Sequence, residues 1–184
     1  MIELRDKMKI IVIYNSKTGF TKRYVDWIAE EIECEIHPYK NFDKINIKPE
    51  NIIIFCSRIH AGKVEYLDKI KSQFYNPTTK NLIVVATGAT PVAAEDVINK
   101  IWTNNFTETE LESLPHFYMQ SGLDYNKMSF IDRTTMKMAA RIMNKKKNKD
   151  DNEAGFEQAI QSSYDISSKE YVKPLINFIK ENIN

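Results

Sequence analysis

Residues 9–21 read KIIVIYNSKTGFT, and this stretch decides the fold. Within Ile10-Ile11-Val12-Ile13-Tyr14, four of the five residues are β-branched. A short apolar run without alternation is the pattern of a strand buried on both faces, as in a parallel sheet. The run stops at Asn15-Ser16-Lys17-Thr18-Gly19-Phe20-Thr21. Beyond it Tyr24, Ile28 and Ile32 recur every four residues, with Val25 and Ala29 beside them, which is helical spacing. The segment therefore predicts a strand, a hydroxyl-rich turn and a helix. The first N–H groups of a helix have no carbonyl partner inside it. Around them Ser16, Thr18 and Thr21 add hydroxyls, Lys17 adds a cation and Gly19 adds backbone freedom. Such a turn is an anion site, and a phosphate is its natural guest.

The rest of the chain repeats the alternation. Residues 51–56 (NIIIFC) and 81–86 (NLIVVA) are two further buried-strand candidates, and 115–120 (PHFYMQ) is a fifth strand. Residues 35–39 form a short strand that Pro38 confines to an edge. Val64, Leu67, Ile70, Lys71 and Phe74 predict a helix that Pro77 stops. Helices are also expected over about 92–102, near 108–113 and over about 167–181, with Pro174 kinking the last. Strands alternating with helices give an α/β fold, a doubly wound five-stranded parallel sheet covered on both faces. The chain reads as one domain, 1–184, with an insertion at 123–165 before the last helix. Ligands of such sheets sit outside the carboxyl ends of the strands. The loops at 15–21, 57–63 and 87–91 meet there, and each holds a glycine and a hydroxyl residue.

Composition narrows the class. With 42% apolar and 28% charged residues, and only 5 Gly and 6 Pro, the chain is globular rather than repetitive. The opening MIELRDKMK lacks the apolar core of a secretory signal, and five-residue apolar runs are too short to span a bilayer. Cys34 and Cys56 form no CxxC pair, so a reduced, cytoplasmic protein is expected. The net charge of +1 is unevenly placed. Residues 127–149 carry eight cations against one acid, Asp132, a local charge of +7. There Arg133, Lys137, Arg141 and Lys145 recur every four residues beside an apolar stripe that includes Met128, Ile131, Met138 and Ile142. This basic amphipathic pattern suits an anionic partner or a membrane surface, or else packs on its own domain. No nucleic-acid partner is expected.

Ser16-Lys17-Thr18-Gly19-Phe20-Thr21 resembles the phosphate loop of the flavodoxins, hydroxyl-x-Thr-Gly-x-Thr directly after the first strand. Ser57-Arg58-Ile59-His60-Ala61-Gly62 is similar to the ring-flanking loop of a flavodoxin subgroup that includes the oxygen-independent protoporphyrinogen oxidases. The stretch from Gly122 through Leu123 to Asp132-Arg133 resembles the same subgroup's segment after strand five. His60 stands where that subgroup commonly has an aromatic residue, and Asp124 where the oxidases tend to have Arg. The resemblance implies a flavodoxin-like fold and FMN as cofactor. It implies that Ser16, Lys17, Thr18, Gly19, Phe20 and Thr21 hold the phosphate. Ser57, Arg58, Ile59, His60, Ala61 and Gly62 would flank the isoalloxazine on one side, and Thr87, Gly88, Ala89 and Thr90 on the other.

The expected function is electron carriage between redox partners, either proteins or a quinone-like small molecule. Whether the chain is itself an enzyme is left open; if it is, it is an FMN-dependent oxidoreductase. Within the family the alternative is a protoporphyrinogen-oxidase-like dehydrogenase with a quinone acceptor. Outside it, the alternative is a cofactor-free docking module built on 127–149. A receiver domain needs acids at the end of strand one, where Tyr14-Asn15-Ser16 stands instead, and no GxxxxGK[ST] exists for a P-loop nucleotidase. His60 is either a solvated loop residue or a ring neighbour able to shuttle a proton. Cys56 reads as a small core hydrophobe, and His116 has no visible partner.

Overall fold

The computed structural model describes residues 9–78, 81–134, 136 and 162–183. Strands β1 (Ile10–Asn15), β2 (Glu35–Pro38), β3 (Ile52–His60), β5 (Leu82–Gly88) and β6 (His116–Gln120) form a sheet in the order β2-β1-β3-β5-β6. All neighbouring pairs along this path are parallel. The expected α/β parallel sheet is what the chain forms, with Pro38 on its edge strand.

The three central strands carry apolar side chains on both faces, so each face needs its own cover. Ile11, Ile13, Ile53, Phe55, Val84 and Ala86 pack on one side. Residues from α2 (Leu67–Phe74), α3 (Glu95–Asn105) and α4 (Glu108–Ser113) close over them. Val12, Ile54, Cys56, Ile83 and Val85 face the other side, under α1 (Phe20–Glu31) and α5 (Lys173–Asn182). Cys56 is fully buried there, and burial pushes its thiol well up, as the core-hydrophobe reading requires.

Three local expectations are corrected. Residues 57–63 are a β-hairpin rather than an open loop: β3 runs on to His60 and turns back as β4 (Lys63–Val64). Val64 therefore belongs to a strand, and α2 begins three residues later. Pro174 is the second residue of α5 and does not kink it, because a first-turn residue has no intrahelical N–H partner to lose. His116 has partners: its ring lies 4.7 Å from that of Trp102 and 5.2 Å from that of Phe106, with Nδ1 2.8 Å from the Leu114 carbonyl.

After β6 the chain makes a two-stranded antiparallel pair of β7 (Gly122–Leu123) and β8 (Tyr164–Asp165). This pair is the base from which the insertion leaves and to which it returns. A helix begins at residue 130. Thr135 and residues 137–149, hence most of the cationic stripe, lie outside the described residues. Among the described residues no helix is long and apolar enough to cross a membrane.

Candidate functional site

Registry brings the three loops together. Asn15 pairs with Ser57 and Arg58 with Thr87 along the sheet, so β1, β3 and β5 end side by side. A separate cavity of about 560 Å³ lies at the opposite, amino ends of the strands, lined by Lys9, Glu35, His37, Lys44 and Asn51 among others. It is remote from these loops, and none of the expected site residues lines it.

The first loop keeps part of its donor set unspent. Gly19 is the N-cap of α1 at φ 97°, a left-handed conformation that suits glycine, and a Cβ there would meet nothing within 4 Å. No side chain caps the helix and no acid stands in its first turn, so the N–H groups of Phe20, Thr21 and Lys22 start a helix with its positive end uncompensated. The Ser16 hydroxyl is buried and has no hydrogen-bond partner among the described residues. A buried orphan hydroxyl costs free energy unless something accepts its proton. Thr18 is half-buried, and Lys17 is exposed. The Thr21 hydroxyl lies 2.8 Å from that of Thr87, and both are buried, tying the first loop to the third. Phe20 is buried and carries the Arg23 guanidinium 5.4 Å from its ring centre.

The hairpin, in contrast, satisfies itself. Ala61 (φ 49°) and Gly62 (φ 77°) are the two left-handed residues of its turn, the arrangement that matches strand twist. Asn105, buried on α3, pins the tip: its Nδ2 donates to the Gly62 carbonyl at 2.9 Å and its Oδ1 accepts from Val64 N at 2.9 Å. Ser57 is fully buried and donates to the Glu65 carbonyl at 2.9 Å, so its hydroxyl is a staple and does not reach the opening. The Arg58 guanidinium forks onto Glu65, with Nε to Oε2 at 2.8 Å and Nη2 to Oε1 at 2.7 Å. Asn15 Nδ2 adds a 2.8 Å bond to Glu65 Oε2 and one of 3.2 Å to the Ser57 hydroxyl. Burial alone would raise the Glu65 carboxyl, but Arg58, Asn15 and Lys17 hold it below its ordinary range.

Asp132, from the insertion, completes this charge cluster. Its carboxylate lies 3.4 Å from Arg58 Nη1, 3.4 Å from His60 Nε2 and 3.6 Å from Lys17 Nζ. His60 Nδ1 lies 3.7 Å from Glu65 Oε1, so the half-exposed ring stands between two carboxylates. Burial pushes Asp132 upward, and Arg58, Ser129, Lys17 and His60 outweigh it, leaving the carboxyl below its usual value.

The third loop is held from beneath. A Cβ on Gly88 would come within 2.9 Å of the Tyr118 hydroxyl and 3.2 Å of Ile59 Cδ1, which explains glycine there. Tyr118 donates to the Thr90 carbonyl at 2.6 Å and Tyr164 to the Ala89 carbonyl at 2.8 Å. Gln120 accepts from Val92 N at 2.7 Å and donates to the Ile166 carbonyl at 2.9 Å. Tyr24 donates to the Gln120 carbonyl, and burial pushes its phenol up to about 12. The loop lacks an aromatic of its own, and the fold supplies two tyrosines to fix its backbone.

Loops one, two and three therefore converge at one end of the sheet. The Ser16 hydroxyl and the first turn of α1 have no side-chain partner among the described residues, while Ser57, Arg58, Thr87 and Thr21 are bonded to neighbours. Glu65, Asn105, Gln120 and Tyr164 went unread in the sequence, and Asn15 and Asp132, although quoted in motifs, were not among the expected site residues. Glu65 had one usable signal, an acid directly after a strand that carries Arg58 on its other arm.

The profile of the family described as "Flavodoxin domain" matches residues 11–151. No curated protein matches the chain. Among solved structures, a Trp repressor binding protein from Bacillus subtilis is 13% identical, covering 61% of this chain and 84% of that one at a TM-score of 0.36. A putative flavoprotein from Bacteroides eggerthii is 12% identical, covering 60% and 85% at 0.36. A flavodoxin from the domain Archaea is 14% identical, covering 61% and 85% at 0.33. Likeness this low leaves the assignment to the family profile.

Proposed function

The chain belongs to the flavodoxin-domain family, and from that premise we propose that it binds FMN non-covalently at the carboxyl ends of its strands and carries electrons between redox partners. The observation that carries the reading is the unspent donor set of the first loop: an uncapped α1 beside a buried Ser16 hydroxyl with no partner. A phosphate dianion satisfies both at once. Ser16, Thr18 and the N–H groups at 20–22 would hold it, with Lys17 adding charge. The hairpin turn at Ala61-Gly62 and the backbone of 87–90 would flank the ring. FMN supplies electron acceptance and release; the protein's share is binding, orientation and electrostatics. In the hairpin, Glu65 and Arg58 keep the turn rigid, and His60 brings an imidazole to the rim between the Glu65 and Asp132 carboxylates.

A redox partner is proposed for the insertion side. Phe130 and Ile131 are 82% and 75% exposed, directly before Asp132 and inside the segment of charge +7. Protruding apolar side chains among cations favour an anionic bilayer surface, where a quinone-like acceptor would be met. Sedimentation with anionic vesicles, lost at high salt and absent with neutral vesicles, is the expected outcome. Equal, negligible binding to both removes this partner.

The test of the cofactor is direct. The purified protein should be yellow or should quench FMN fluorescence on titration. Ser16→Ala should weaken FMN about tenfold, the worth of one hydrogen bond to a charged group. No flavin absorbance and no quenching would overturn the reading.

A further inference from the structure

The insertion enters over the candidate site through a built turn. Ser129 caps its first helix: the hydroxyl accepts from Asp132 N at 3.1 Å and the carbonyl from Arg133 N at 2.9 Å. That turn fixes the direction of the Asp132 side chain, which is only 9% exposed. The carboxylate faces cations from two other segments, Arg58 of the hairpin and Lys17 of the first loop. Arg58 is already forked onto Glu65, whose carboxylate also meets Asn15 and the His60 ring and feels the Lys17 charge. Lys17 is differently placed. Its ammonium is half exposed, sits on a flexible stem, and belongs to the loop that offers donors to an anion. A phosphate on that loop and the Asp132 carboxylate would therefore share one cation and repel each other.

We propose that Asp132 is a selectivity residue of the flavin site, a carboxylate placed to oppose the cofactor's phosphate, so that the seating of the insertion and the contents of the first loop are coupled. The proposal rests on the FMN reading above. Coupling is reciprocal: whatever the carboxylate subtracts from phosphate affinity, the phosphate subtracts from docking of the 129–133 turn. A ligand with the same ring and no phosphate meets no such opposition. A residue that merely held the insertion in place would behave in the opposite way, since losing it would loosen the site and weaken every flavin.

The experiment titrates FMN and riboflavin against the full chain as wild type, Asp132→Asn and Asp132→Glu, reading flavin fluorescence at low and high salt. Asp132→Asn should bind FMN roughly three- to tenfold more tightly at low salt, within the usual range of coupling between sites. The gain should shrink as salt screens the charges. Riboflavin affinity should not change, and Asp132→Glu should match the wild type. Hydrogen exchange at 129–133 should quicken when FMN is added to the wild type and stay constant with riboflavin. Equal or weaker FMN binding by Asp132→Asn overturns the proposal, as does an equal gain for riboflavin. Failure of every variant to bind either flavin overturns the FMN reading itself, and the proposal with it.

Discussion

The first loop and the hairpin sit side by side at the same edge of one sheet, yet they treat hydrogen bonds in opposite ways. The hairpin consumes its own polarity: Ser57, Arg58, Glu65 and Asn15 bond one another, and Asn105 closes the tip. The loop at 15–21 leaves an uncapped helix end and a buried hydroxyl unpaired. Self-satisfied polar networks rigidify. Unsatisfied ones are tolerated where a ligand completes them. In the proposed reading the hairpin is the wall and the loop is the receptor, so substitutions in the two should separate stability from binding.

The largest loss of stability is expected at the base that ties the insertion to both. A Cβ on Gly122 would collide with the Tyr164 carbonyl oxygen, a backbone atom with nowhere to go. Gly122→Ala should part β7 from β8, costing about 3 kcal/mol, and should loosen the Tyr164–Ala89 bond of the third loop. The check is the denaturant midpoint. The hairpin comes next. Arg58→Ala leaves Glu65 and Asp132 largely buried without their shared cation, a loss of about 2–3 kcal/mol. Glu65→Gln keeps the shape and should cost less.

Acid should weaken the wall, as it should the Glu110 and Asp165 pairings elsewhere, whose carboxyls are also held low. Glu65 and Asp132 are both held below their ordinary range in the folded state. A depressed carboxyl contributes stability that is complete above its unfolded value, about pH 4, and is lost as pH falls through the lower folded value. The wild type should therefore lose stability below about pH 4 more steeply than Glu65→Gln in parallel unfolding curves. Coincident slopes would remove the clamp from the account.

The smallest change in stability is expected in the receptor. Ser16→Ala deletes a buried hydroxyl that has no partner, so it should leave the midpoint unchanged or raise it by up to about 1 kcal/mol. The same substitution should weaken FMN. Opposite signs for stability and affinity at one residue are the signature of a group held for its ligand. A fall in both would make Ser16 another piece of wall.

How much of this was legible follows from sequence distance. The strand, turn and helix of 9–32 are local, and period and composition were enough to read them. The hairpin was missed because its turn offers a single glycine, with Ala61 taking the other left-handed position. The alternation across Ser57-Arg58-Ile59-His60 was its only trace. The pairing within the charge cluster could not be read: Asn15 meets Glu65 across 50 residues, and Arg58 meets Asp132 across 74. Such contacts exist only once the sheet has aligned the strand ends. Thr21 shows the same limit, since a motif identifies a hydroxyl but not the Thr87 oxygen it faces.

The central claim is that the open end of α1 receives the phosphate of a flavin. Backbone amide resonances followed while FMN, and separately riboflavin, is titrated into the intact protein test it most directly. The account predicts that the amides of Phe20, Thr21 and Lys22 shift strongly with FMN and barely with riboflavin, and that FMN binds more tightly. Unmoved amides at 20–22 in a protein that binds FMN, or equal affinity for both flavins, would contradict it.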